Sequence, residues 1–371
     1  MWTPIKLQKN VLCKFLWNTQ RCISVKRNKL KDAEGCITSL PSNHCYTNLY
    51  PWKHKDEFIE YMVKSIVYNN DGLIVVNKPY GVPIYKHNVQ ANENKSTVTQ
   101  TVLSSSQVEC PYVLEDALEA LKSHLQYTDL KIVKSAERYM SGIVLLAATE
   151  KVAQKIRKAI TSSKTRKQPF MNYWAITKGY PDPAILEERV GIKLIEVGQE
   201  SNKQPIIVKK FSKKEVLNTK VRPVNVEFRT ICINKPLSSC LLEITTSSVK
   251  WHFLRVYLAN KVSCVLGDTL YSSRVRQILG QPFTISPYNT AAYDIQSLPN
   301  EVCSRLKIPT GIKGHTLVPV MLHHQSFLLP DFVSKGQDLL ISALPPSHFL
   351  WTCSQLDILP ESNLMVECSV T

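Results

Sequence analysis

No run of 18 or more apolar residues occurs in this sequence of 371 residues, so no segment is expected to cross a bilayer as a helix. GxGxxG, the P-loop and HExxH are all missing, which leaves dinucleotide, nucleoside-triphosphate and zinc-hydrolase readings without a motif. The 11 cysteines include no CxxC, and their odd number argues against a complete disulfide framework. They read as reduced, mostly packing thiols of a reducing compartment. His315 and the pair His323-His324 lack cysteine or carboxylate partners at zinc-ligand spacing, so no metal is expected. Internal repeats, heptads and low-complexity tracts are absent too.

The most telling shortage is of acid. Residues 1–31 contain no Asp or Glu, yet they hold Lys6, Lys9, Lys14, Arg21, Lys26, Arg27, Lys29 and Lys31, half of the net charge of +16. Trp2, Ile5, Leu7, Val11, Leu12, Phe15, Leu16 and Trp17 are interspersed among them. A basic, acid-free amphipathic start reads as a mitochondrial presequence, with the matrix as destination. Lys9 and Lys14 break the apolar core that a secretory signal would need. The alternative is a basic tail with no targeting role.

What the chain does have is enough apolar residue, 44%, for a sizeable core. Residues 32–54 are polar and mixed and read as a linker; 55–350 carry the patterned body; 351–371 read as a tail. A helix is expected from about Asp56, with Phe58, Met62 and Ile66 on one face. The turn Asn69-Asn70-Asp71-Gly72 leads into a buried strand, Leu73 to Val76, and then into Asn77-Lys78-Pro79-Tyr80-Gly81-Val82-Pro83, an extended turn set by two prolines and a glycine. Residues 88–109 read as polar and exposed. Helices are expected over 115–126 and 150–162, and strands at Tyr173–Thr177, Ile206–Lys210, Val224–Thr230, Cys240–Thr246, Leu254–Leu258, Val320–His323 and Leu339–Ala343.

Two basic stretches are candidates for a phosphate backbone. One is Ser162-Ser163-Lys164-Thr165-Arg166-Lys167 at the end of the second of those helices. The other is Lys209, Lys210, Lys213 and Lys214 around Phe211. For each, an ordinary solvated loop or hairpin tip is the competing reading.

Between Lys134 and Ala147 a charged loop, Lys-Ser-Ala-Glu-Arg-Tyr-Met, feeds a fully apolar strand, where a scaffold can hold a reactive side chain rigidly. Five ordered segments together resemble the RluA-type pseudouridine synthases, nearest to their divergent mitochondrial members, over roughly residues 55–350. These are residues 71–83 with Lys78-Pro79-Tyr80-Gly81; Ser141-Gly142-Ile143-Val144-Leu145-Leu146-Ala147; Tyr173-Trp174-Ala175 with Gly179; His252-Phe253-Leu254-Arg255 with Leu266-Gly267-Asp268 and Tyr271; and Leu322-His323 with Pro330 and Leu344-Pro345.

The resemblance implies an α+β pseudouridine synthase fold, a mostly antiparallel bent sheet around a central RNA-binding cleft with flanking helices. It implies detachment of uridine from its ribose, rotation, and rejoining through carbon, on a base taken out of the stack. No metal or organic cofactor is needed. Counting back from Gly142, the family's nucleophilic aspartate position is Glu137, one methylene longer and so displaced by roughly 1.5 Å. A shift near 1 Å can cost on the order of 10² in rate. The loop's histidine and arginine are replaced by Lys134 and Ser135, the Arg-Thr expected before His252 by Lys250-Trp251, and the glutamine after it by Phe253. By the same resemblance Arg255 orients the carboxylate, Tyr173 packs against the base, Leu322 floors the pocket, and His252 and Lys78 face substrate. Lys164, Arg166, Lys167, Lys209 and Lys210 are the expected RNA contacts.

The expected function is therefore a mitochondrial pseudouridine synthase acting on mRNA or rRNA. The alternative is a relative that kept the fold and lost the chemistry, an RNA-binding protein supporting mitochondrial RNA stability or ribosome assembly. In the blandest reading Glu137 is a solvated loop residue. No room for an added RNA-binding module is expected ahead of residue 55, so protein partners are expected to help with specificity.

Overall fold

The computed structural model describes residues 40–86, 110–197, 202–279, 281–288, 297–309, 317–360 and 369–370. The expected presequence, the polar stretch 88–109 and residues 361–368 and 371 of the expected tail lie outside those residues. Among the described residues no helix is long and apolar enough to cross a membrane.

Helix α1 (Lys55–Lys64) buries Phe58 and Met62, as their four-residue spacing requires. It stops at Ser65, so Ile66 opens strand β1 (Ile66–Asn70) instead of extending the helical face. The Asp71-Gly72 turn, both residues at positive φ, returns the chain to β2 (Leu73–Lys78). Helix α2 (Glu115–His124) and strand β3 (Lys131–Lys134) follow, and the loop after β3 leads into β4 (Ser141–Ala147), buried at every position. A strand covered on both faces needs apolar residues throughout, which explains why β4 shows no alternation. Leu73 and Val75 of β2, with Ile143 and Leu145 of β4, enter the main core. Ile74, Val76, Val144 and Leu146 face a second core built with Phe58, Met62, Ala117 and Leu121.

Helix α3 (Glu150–Thr165) starts where the Thr149 hydroxyl accepts the Val152 N–H at 3.3 Å, and it buries Ala153, Ile156 and Ala159. Strands β5 (Met171–Lys178), β6 (Ile185–Val197) and β7 (Asn202–Val208) come next, then the short helix α4 (Lys213–Leu217), closed by a Ser212/Glu215 capping box. Beyond it lie β8 (Arg222–Asn234) and β9 (Ser239–Thr246), a 3₁₀ turn (Lys250–His252), helix α5 (Phe253–Asn260) and β10 (Cys264–Val265). The hairpin β11 (Val275–Ile278) and β12 (Gln281–Thr284) stands apart from the large sheet. Helix α6 (Asn300–Arg305), strands β13 (Leu322–Ser334) and β14 (Gln337–Ser342), helix α7 (Ser347–Gln355) and β15 (Ser369–Val370) complete the order.

The large sheet runs β1-β2-β4-β13-β5-β9-β8-β6-β7, with β3 on β4, β10 on β5, and β14 and β15 beyond β13. Every pairing is antiparallel except β13 on β4, where His323 lies opposite Ser141 and His324 opposite Gly142. The fold is the expected α+β one, with helices against a mostly antiparallel sheet. At that parallel contact Gly142 has φ +116, and a Cβ there would meet the His324 carbonyl oxygen at 2.2 Å. Only glycine fits.

Three expectations change. Leu254–Leu258 is not a strand but the middle of α5, buried on all sides; a short apolar run cannot distinguish a buried strand from a buried helix by periodicity. The expected linker contributes Leu40, Tyr46 and Trp52 to the cores. Beyond residue 350, Cys353, Leu356 and Ile358 pack with Trp174 and Leu241, so the body continues into the expected tail.

Candidate active site

The loop between β3 and β4 is tied down at three points. The Gly81 N–H donates to the Arg138 carbonyl at 3.0 Å, the Met140 N–H to the Glu137 carbonyl at 3.2 Å, and the Lys78 ammonium to the Met140 carbonyl at 2.7 Å. Lys78 also donates to the Pro79 and Val82 carbonyls at 3.0 and 3.1 Å. It is fully buried, and burial pushes its pKa down to about 7. All three N–H bonds are spent on the backbone. The structure therefore places Lys78, expected to face substrate, as a buried brace of the loop, its ammonium turned to three backbone carbonyls.

On this braced loop the Glu137 side chain is half-buried. Burial raises its pKa, and this outweighs the opposing Tyr139 hydrogen bond and the charges of Arg255 and Lys134. Tyr173 and Tyr271 also lie within the field of this carboxylate. Glu137 is therefore no freely solvated loop residue.

Arg255, on α5, holds Asp268 in a two-pronged pair, Nε to Oδ2 at 2.9 Å and Nη2 to Oδ1 at 2.5 Å, both side chains buried. Asp268 also accepts the N–H groups of Leu270 and Tyr271 at 2.9 and 3.0 Å. Burial opposes both charges; the pair offsets it, raising the Arg255 pKa and lowering that of Asp268. The expected direct pairing of Arg255 with Glu137 is thus replaced by pairing with Asp268. The remaining guanidinium nitrogen, Nη1, is buried without a hydrogen-bond partner. The Arg255 guanidinium also lies 4.5 Å from the Tyr139 ring centroid and 5.2 Å from that of Tyr271.

His252 is buried, its Nδ1 at 2.8 Å from the Tyr271 hydroxyl and its ring edge-on to Tyr139 at 5.4 Å. It props the two tyrosines that flank Arg255. Tyr173, on β5, is buried and stacks on His324 with centroids 4.4 Å apart, so His324 occupies one face of the ring expected to meet a base. Both ring nitrogens of His324 lack a hydrogen-bond partner. Leu322 sits in the same apolar cluster as Tyr139 and Tyr173.

The expected RNA-contacting residues fare unequally. Lys164 is exposed; partial burial and the charges of Lys250 and Arg222 lower its pKa. Arg166 is paired with Asp331 at 2.6 Å, and the Lys167 carbonyl accepts the Asn225 amide at 2.7 Å. Lys209 and Lys210 are exposed after β7. Phe211 lies 5.7 Å under Arg189 and is half-buried, not presented outward. Sequence reasoning named Trp251 and Lys250 only as replacements for the expected Arg-Thr, and it missed Tyr139, His324 and Arg222 as parts of the site. Of those three, Tyr139 carried a signal, two residues past Glu137 in a loop that has to turn.

A cluster of buried neutral histidines has a measurable consequence. His323 is held between the Ser141 hydroxyl and the Ala343 carbonyl, each at 2.9 Å. Burial lowers His323 and His252 to about 4 and His348 to about 3. Unfolded histidines bind protons near pH 6.5 and these do not, so stability rises with pH across that window and is lost as pH falls from about 6.5 towards 4. At about 1.4 kcal/mol per pKa unit, His323 alone contributes roughly 3 kcal/mol of that loss. Thermal melts across this range should show a steep drop in Tm; a flat profile would remove the neutral-histidine cluster from the account.

The model for the family described as RNA pseudouridylate synthase matches residues 72–260. The human mitochondrial mRNA pseudouridine synthase RPUSD3 is 25% identical over 294 residues, covering 79% of this chain and 76% of that protein. The zebrafish mitochondrial pseudouridylate synthase RPUSD4 is 27% identical over 316 residues, covering 82% and 76%. The solved structure of human RNA Pseudouridylate Synthase Domain Containing 4 superposes with a TM-score of 0.57 at 18% identity, covering 83% of this chain and 98% of that one, a likeness of fold.

Proposed function

Because this chain belongs to the RNA pseudouridylate synthase family, in its RluA-type branch, we propose that it isomerises uridine to pseudouridine in a mitochondrial mRNA or rRNA, working in the matrix, with Glu137 as the nucleophilic carboxylate. The observation that carries this reading is the setting of Glu137. A carboxylate on a braced loop is half-buried, hydrogen-bonded by Tyr139 and within the field of the Arg255 guanidinium, which lies over the Tyr139 ring, and its charge reaches Tyr173. The reaction breaks the bond from ribose C1′ to N1 and forms one from C1′ to C5. A proton leaves C5 and one is gained at N1, so no oxidant or reductant enters.

An ionised carboxylate can attack covalently and hold the base-free centre during rotation. Arg255 assists through its unpaired Nη1 and its charge, while Asp268 holds the guanidinium plane in place. Tyr173, backed by His324, and Leu322 line the position of the everted base, and His252 keeps Tyr139 and Tyr271 in register. Lys164, Lys167, Lys209 and Lys210 meet phosphates, with Arg166 available only after leaving Asp331. Partner proteins supply part of the choice of RNA.

A second reading, an RNA-holding relative without turnover, is favoured by two observations: the Glu137 carboxylate is burdened by burial, and Arg255 is committed to Asp268. Mapping pseudouridine in mitochondrial RNA of cells expressing only the Glu137→Ala chain separates the two. Loss of modification at defined uridines, with RNA binding kept, is the expected result. Unchanged modification removes Glu137 from catalysis.

A further inference from the structure

The segment between β9 and α5 carries Lys250-Trp251 where the resemblance expects Arg-Thr. Trp251 and His252 are consecutive non-glycine residues in the left-handed region, with φ 58 and 57. Such positions cost of order 1–3 kcal/mol each and persist only where surrounding packing enforces them. Here the two side chains serve different neighbours. His252 goes to Tyr271 and Tyr139, while the Trp251 indole lies half-buried with the Arg222 guanidinium 4.5 Å from its ring centre.

Arg222 is itself incompletely satisfied. Its Nε is buried without a hydrogen-bond partner. Lys164 lies within the field of Arg222 and Lys250, and Lys134 within that of Lys164 and Lys250; burial first, and then these charges, lower the pKa of Lys164 and of Lys134. No salt bridge engages any of these four cations among the described residues. The carboxylate acting on the group is Glu137, through Lys134. Four crowded cations repel, so the arrangement is best relieved by an anion, and an indole beside a guanidinium is a surface on which a base can stack.

We propose that Trp251 and Arg222, with Lys164 and Lys250, and Lys134 linking them to Glu137, form a nucleotide subsite next to Glu137, taking the base next to the target uridine on the indole and its flanking phosphate on the cations. This rests on the reading that the chain acts on RNA and adds to it a neighbour-binding site. A platform that grips the adjacent nucleotide holds the backbone while the target base is drawn out, and the cations neutralise the phosphates that eversion brings together.

The test uses binding, so it does not depend on turnover. Full-length Glu137→Gln protein is titrated with a short single-stranded oligouridylate, following tryptophan fluorescence and anisotropy. Trp251→Ala should weaken binding by roughly 5- to 100-fold, the scale of one lost base stack, whereas Trp251→Phe should keep most of it. Lys250→Ala, at an exposed position, should lower the slope of log affinity against log salt by about 0.7. Because Trp251 packs against the core, Arg222→Gln gives an independent arm that keeps the indole, and it should also weaken binding. Wild-type affinity in Trp251→Ala and Arg222→Gln, with an unaltered salt slope in Lys250→Ala, overturns the subsite. Trp251-dependent binding, together with a parent chain carrying Glu137 that makes no pseudouridine, would refute turnover and leave the subsite standing.

Discussion

Glu137→Gln is expected to abolish turnover and to make the protein more resistant to heat. Glutamine keeps the shape and still accepts a hydrogen bond from Tyr139, but it cannot attack as an anion. The loss should be on the order of 10⁴–10⁶ in rate, the scale of removing a covalent nucleophile. The gain in stability comes from the same carboxylate. Burial raises its pKa above the unfolded value, so the folded state holds this proton more tightly than the unfolded state does. Stability then falls as pH rises through the interval from the unfolded value of about 4.5 up to the raised one, and the ionised group is a cost at neutral pH.

The variant should therefore melt with the parent near pH 4 and several degrees above it at pH 7.5. Activity in the parent should fall as pH drops through the raised pKa. Retained turnover in Glu137→Gln removes the nucleophile assignment. An unchanged Tm at neutral pH removes the claim that the site strains its own carboxylate. A carboxylate that costs stability where catalysis needs it is a trade between the two.

The sequence was most legible where chemistry forces residue type. Gly142, Arg255 and Asp268 stand in segments whose resemblance is spelled by close backbone approach and by a planar ion pair, and the structure has a steric or electrostatic use for each. The strands β2 and β4 were readable because two-sided burial writes an unbroken apolar run. Legibility failed where burial is all-round and short, as in α5, and where a polar residue is buried for its donors. Lys78 looks like a turn lysine open to substrate, and nothing local says that three carbonyls converge on it. Strand β6 was missed because Glu187, Glu188, Arg189 and Lys193 break its apolar pattern. The pairing of His324 with Tyr173, and of Arg222 with Trp251, joins residues far apart in the chain and leaves no trace in spacing.

Breaking the pair between Arg255 and Asp268 from one side should destabilise the protein by about 3–5 kcal/mol, because the partner is left as an uncompensated buried charge. Asp268→Ala is the sharper case, since Arg255 then retains a charge with no counter-ion while the Leu270 and Tyr271 N–H groups lose their acceptor. A double replacement, Arg255→Met with Asp268→Leu, removes both charges and should recover much of that loss in urea unfolding. Turnover should not recover with it. The double variant keeps the apolar volume but has no guanidinium nitrogen free to act beside Glu137, so it should fold and fail to isomerise. Recovered stability without recovered activity assigns the pair to the chemistry as well as to the core. If the double variant is as active as the parent, Arg255 is scaffold only, and the cation that assists Glu137 must be sought in Lys134.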